Sequence, residues 1–128
     1  MNNDEAIKIA APVVKAVVDC IAAKRYYELN LHATIDSDMT FELFEELVEG
    51  YLEINELPYI DGYDVPCNFR PQYEYSQMTV YIYNDGSGFA VDYDFTTNGE
   101  LNDLTLQMEF LISRRSEIVP VILDAHVL

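Results

Sequence analysis

Phe89-Ala90-Val91-Asp92-Tyr93-Asp94-Phe95 sets large apolar residues at every odd position and acids at two of the even ones. A strand sends successive side chains to opposite faces. Phe89, Val91, Tyr93 and Phe95 can therefore build a core while Asp92 and Asp94 look the other way. The stretch reads as an interior strand of an antiparallel sheet with one buried face.

Working outward, Asn84-Asp85-Gly86-Ser87-Gly88 precedes it as a hairpin turn and Thr97-Asn98-Gly99 follows it as another. Before the first turn, Tyr73 to Tyr83 alternates Met78, Val80 and Ile82 against Thr79, Tyr81 and Tyr83. After the second, Leu104, Leu106, Met108, Phe110 and Ile112 share one parity. Ser113 to Glu117 is a polar turn, and Ile118 to Leu128 a last strand. Pro120 predicts that this strand lies at an edge, or pairs only beyond that point.

Upstream the period changes from two to that of a helix. Ile7, Ala10, Ala11, Val14, Val17, Val18 and Ile21 recur at helical spacing behind Asp4 as a cap, with Pro12 predicted to kink or open the helix. Leu31 to Asp38 reads as a connection. A second helix starts at Thr40, with Phe41, Phe44, Leu47, Val48 and Tyr51 as its inward stripe. Residues 55 to 72 hold three prolines and Gly62, and read as a long irregular loop, a length uncommon without a role.

The fold class that follows is α+β in one domain spanning 1–128. Two N-terminal helices, about residues 4–29 and 40–54, pack on one face of a four-stranded antiparallel meander over about 73–128. A cystatin-like or cone-like arrangement is the alternative geometry.

Charge is the outlier. Asp and Glu number 23 against seven Lys and Arg, a net charge of −16. Between Tyr26 and Ser113 the only cation is Arg70, facing 18 acids. Such a field repels nucleic acid and anionic membranes and attracts basic proteins with fast, salt-sensitive association. Glu42, Glu45, Glu46 and Glu49 lie together on the outer side of the second helix. With Glu53 they form three like-charged pairs at i,i+4, each costing roughly 0.2–0.5 kcal/mol, which favours a use for that face. Tyr59 and Tyr63 in the loop are candidate aromatic anchors.

Catalytic chemistry finds no foothold. There is no GxSxG, HExxH, P-loop or GxGxxG pattern, and neither His32 nor His126 has an evident partner. Asp92 and Asp94 on a regular strand do not resemble a calcium loop, so no metal and no cofactor is expected. Cys20 and Cys67 lack zinc or disulfide spacing, and Cys20 belongs to the apolar helical pattern. With no secretory signature and no membrane-length apolar run, a cytoplasmic protein is expected.

Phe89-Ala90-Val91-Asp92, Asn102-Asp103-Leu104-Thr105-Leu106 and Asp124-Ala125-His126-Val127-Leu128 together resemble an uncharacterised family of small bacterial α+β domains. That family carries segments like SDLTL and DLHVL. This chain has no Trp in the aromatic strand, and Asn102 stands where the family has serine. The resemblance implies a fold and a bacterial origin, and no activity. Small acidic bacterial domains of this kind are also similar to immunity proteins of contact-dependent and other polymorphic toxin systems. That similarity implies a basic partner, a cognate nuclease toxin whose cleft binds phosphates. The functional expectation is a non-enzymatic immunity protein acting through Glu42, Glu45, Glu46, Glu49, Tyr59, Tyr63, Asp92 and Asp94. The alternatives are a small-ligand or enzymatic pocket lined by tyrosines, and a nucleic-acid mimic.

Overall fold

Asn2, rather than Asp4, starts the first helix: its side-chain oxygen accepts the Glu5 N–H at 2.9 Å. The computed structural model describes residues 1–65 and 76–127. Helix α1 (Asn3–Ala22) runs unbroken through Pro12, with Asp4 and Glu5 in its first turn, where the helix dipole favours them. It stops seven residues short of the expected end at Leu29. The Arg25 N–H reaches the Cys20 carbonyl at 2.8 Å and the Lys24 N–H that of Ile21 at 3.0 Å. Lys24 takes φ 59°, the left-handed position that usually belongs to glycine in this kind of stop. The chain then makes a 3₁₀ helix, Tyr26–Leu31.

The connection after it is more than a loop. Thr34–Ile35 forms a short strand, β1, parallel to the last strand of the chain, with Thr34 opposite Val121 and Ile35 opposite Ile122. Helix α2 (Phe41–Ile54) follows, capped as expected by Thr40, whose hydroxyl accepts the Leu43 N–H at 3.2 Å. It ends like α1, with the Leu57 N–H on the Leu52 carbonyl at 2.8 Å and Glu56 at φ 54°.

The remaining strands among the described residues are β2 (Met78–Ile82), β3 (Gly88–Thr97), β4 (Glu100–Ile112) and β5 (Ile118–Val127). They pair antiparallel in sequence order, so the expected meander is present; β1 on its outer edge makes the sheet five-stranded, in the order β1-β5-β4-β3-β2. Pro120 sits opposite Phe110 in the β4–β5 ladder, which shifts register between Gln107 and Met108, and β1 covers β5 just beyond it. The expected strand start at Tyr73, like Cys67, Arg70 and Tyr75, lies outside the described residues.

The parity of β3 holds. Phe89, Val91, Tyr93 and Phe95 are buried, and Asp92 and Asp94 face outward. Leu104, Leu106, Met108 and Phe110 complete the buried face with Ile122 and Ala125; Ile112, of the same parity, is exposed at the strand's end. The Phe89 and Phe110 rings stack across β3 and β4 with centroids 4.9 Å apart. Helix α1 lies towards β2 and β3, and α2 towards the 3₁₀ helix and β5. Burying each large side chain of this core stabilises the fold by roughly 1.5–3 kcal/mol. No helix among the described residues is long and apolar enough to cross a membrane.

Two turns carry specific backbone demands. Asn98 and Gly99 both have positive φ, the signature of the two-residue hairpin the sequence predicts between β3 and β4. Gly88 opens β3 at φ 145°, and a Cβ there would stand 2.0 Å from the Phe110 carbonyl oxygen. Only glycine lets β4 approach so closely.

Candidate partner-binding surface

Helix α2 buries Phe44, Val48 and Leu52, an i, i+4, i+8 row. That is a narrower stripe than the sequence predicts. Glu42, Glu45 and Glu46 stand exposed on the far side, as does Glu53. Among the described residues only two ion pairs form. Lys15 binds Asp19 at 2.7 Å, and Lys24 binds both oxygens of Glu49, at 3.0 and 3.2 Å. Glu49 is thus the one acid of the helix held by a cation, half-buried beside the 3₁₀ helix. The Tyr26 hydroxyl is buried nearby, with no partner within hydrogen-bond geometry among the described residues. Burial, and then the Glu49 and Glu45 carboxylates, push the Tyr26 pKa well above its ordinary value.

Leu47 and Tyr51 pack partly buried against the core, as expected, and also line an open groove of about 510 Å³ between the second half of α2 and the ends of β4 and β5. Leu104 and Ala125 form its floor, and Ile54 and Val127 its exposed rim. The polar groups are Asn55, Asp103, Asp124 and His126. The Tyr51 hydroxyl donates to the Asp103 carboxylate and accepts the Asp103 N–H at 3.3 Å, tying the helix to the start of β4. Burial, reinforced by that hydrogen bond, pushes the Tyr51 pKa up to about 12. Asp124 accepts the Ala125 N–H at 2.8 Å. Sequence reasoning missed this groove, because Leu43 and Ile54 had no place in its two-stripe picture of α2. Their exposure, 49% and 83%, marks a third, apolar side.

The outer sheet face carries Asp92 and Asp94 and adjoins the groove at Asp124 and His126. Asp92 stands opposite Gln107, which in turn faces Asp124, and Asp94 lies opposite Thr105, which faces His126. The Thr105 hydroxyl donates to Asp94 at 2.8 Å, and the Gln107 amide approaches Asp92 at 3.4 Å. Glu109 accepts the Tyr83 hydroxyl at 2.9 Å. Burial, and then that bond, raise the Tyr83 pKa to about 12. Asp103 joins α2 rather than this face. Among the described residues no three His, Cys, Asp or Glu side chains group as a metal site.

The described part of the long loop is pinned down. Asp61, buried and unremarked in the sequence, accepts the Thr96 hydroxyl at 2.9 Å and the N–H groups of Asn98 and Gly99 at 3.0 and 2.8 Å. Tyr59 is exposed, yet its carbonyl accepts the Thr97 hydroxyl at 2.7 Å and its own hydroxyl meets Asn98. Tyr63 packs its ring against Tyr93 at 5.5 Å, and its N–H donates to Asp19 at 2.9 Å. Burial works to raise the Asp19 pKa, but the Lys15 and Tyr63 donors outweigh it and hold the carboxyl below its ordinary value. Cys20, one residue on, is buried, and burial raises its thiol pKa. The two loop tyrosines therefore fasten the loop to β3 and its turn, and stand apart from the acidic helix face.

A family model described as a domain of unknown function, DUF7668, matches residues 18–128. The chain belongs to this family. The match covers α2, the groove and every strand, and begins within α1. It bears out an uncharacterised family as the chain's kin and assigns no activity. No curated protein and no solved structure matches the chain.

Proposed function

We propose that this protein is a non-catalytic binding protein that docks its acidic surface on a basic protein. In its most concrete form it is an immunity protein that neutralises a nuclease-type bacterial toxin by occluding the toxin's phosphate-binding surface. The observation that supports this reading is the outer side of α2. Glu42, Glu45, Glu46 and Glu53 crowd there in solvent, with no ion pair to them among the described residues. Like charges at i,i+4, as Glu42 and Glu46 are, weaken a helix, and no ion pair to these four acids among the described residues offsets that repulsion. A basic partner would. A nuclease must present cations to a phosphate backbone, so its surface complements this one.

The test is co-expression with a toxin-like protein encoded beside this one in its source genome. Restored growth and a co-purifying complex are the expected results. A toxin whose effect is untouched, with no complex formed, removes the immunity reading. A second reading, a small-ligand or enzymatic pocket, draws its support from the groove that holds Tyr51, Asp103 and His126. The groove has the volume of a ligand pocket, but its open form favours a protein segment over an enclosed ligand.

A further inference from the structure

We infer that the groove between α2 and the ends of β4 and β5 is the anchoring site for the basic partner, taking an apolar side chain of that partner with Lys or Arg on either flank. This rests on the reading of the protein as an acidic binder, and names where on the molecule the anchor enters.

Leu43, Leu47, Gly50 and Ile54 fall at i, i+4, i+7 and i+11, one continuous side of α2. Leu43 and Ile54 are large apolar residues left in solvent, and Leu47 continues from them into the groove. On one flank of this stripe stand Glu42, Glu46 and Glu53, and on the other Asp103 and Asp124 line the groove. An apolar centre bounded by acids on two sides matches a hydrophobic anchor with cationic flanks. Tyr51 adds a large side chain whose hydroxyl is already held by Asp103, so little rotamer freedom is lost on docking.

The same charges decide against a second copy, which would bring its own −16 against these rims. Beyond Ile122, β5 has no strand on its outer side among the described residues, so nothing from the described fold closes the groove along Asp124–Val127.

The test uses the full chain, uniformly labelled with nitrogen-15, and three synthetic peptides of equal length. One has a Leu-Phe centre flanked by Arg and Lys, one the same centre flanked by Glu, and one the same basic flanks around Ser. Amide shifts locate each peptide, and fluorescence anisotropy gives its affinity. The expected result is tightest binding of the first peptide, with shifts over residues 47–55, 103–104 and 124–127. Ile54→Ser, at an exposed position that the fold does not need, lowers that affinity about fivefold or more. Asp92→Asn leaves it unchanged. Equal binding of the Glu-flanked peptide, equal binding of the Ser-centred peptide, or self-association through the groove overturns the inference. Basic peptides that bind only at the outer sheet face overturn it too, while the acidic-binder reading stands. If neither basic peptide shifts any amide at low salt, both fall.

Discussion

The Asp61 carboxylate accepts the Gly99 N–H at 2.8 Å, so a residue of the loop after α2 closes the turn between β3 and β4. It also takes the Asn98 N–H and the Thr96 hydroxyl, and its own N–H donates to the Thr96 carbonyl at 2.8 Å. Asp61→Ala removes the acceptor and leaves the buried Thr96 hydroxyl and Gly99 N–H unpaired. A loss of about 3 kcal/mol is expected, since hydrogen bonds to charged groups contribute about 1.5–3 kcal/mol each and are not additive. Asp61→Asn, which keeps one acceptor oxygen, loses less. Urea unfolding reads this as a lower midpoint at unchanged slope. An unmoved midpoint for the alanine variant refutes the role.

Two glycines of one turn should respond unequally. At Gly88 a Cβ would meet the Phe110 carbonyl at 2.0 Å, and at Gly86, with φ 76°, it would meet nothing within 4 Å. Gly86→Ala bears only the left-handed backbone cost, about 1–2 kcal/mol. Gly88→Ala must also push β3 from β4, and is expected to cost clearly more. Thermal melts of both variants compare them directly. Equal losses would mean that the close approach of β4 does not constrain Gly88.

Glu56 offers the opposite sign. It holds φ 54° just past the end of α2, exposed, in a position suited to glycine. Glu56→Gly removes that strain and one charge from an acidic surface. A gain of about 0.5–1 kcal/mol is expected after the extra freedom of glycine in the unfolded chain is counted. A lower urea midpoint contradicts this.

Alkaline pH should unfold the protein through its tyrosines. Tyr51 and Tyr83 are pushed to about 12, from an ordinary value of 10.0. Above pH 10 the unfolded chain releases these protons while the folded chain retains them. Their stabilising effect is therefore complete below pH 10 and is lost as pH rises towards 12. The melting temperature should fall across that window, and ultraviolet titration should show tyrosines ionising late. Tyr51→Phe and Tyr83→Phe each make the fall shallower. A flat profile contradicts the burial of these hydroxyls.

What could be read from the sequence depended on repetition. Four alternations in Phe89–Phe95 and the Asn98-Gly99 pair located β3 and its turn, because each reflects a local backbone rule. β1 has only two residues, too few for any period, and its pairing with Val121 and Ile122 is decided by tertiary packing. The end of α1 was hidden because Lys24 occupies the left-handed position where glycine is the usual signal. Asp61 looked like one acid among many, since its partners lie 35 to 38 residues away. The acidic face of α2 was legible from spacing alone. The groove beside it was not, because Leu47 and Tyr51 match an inward stripe equally well until the sheet edge is in place.

The most direct test of the acidic-binder account is the association rate with a basic, nuclease-type protein that binds this chain, measured by stopped flow as ionic strength rises. Electrostatic steering accelerates association by roughly 10–10³-fold at low salt. The account predicts a rate that falls at least tenfold as the field is screened, and a smaller salt dependence for the Glu42→Gln, Glu45→Gln, Glu46→Gln triple variant. A rate that stays constant across the salt range, or a triple variant indistinguishable from the parent, would contradict it.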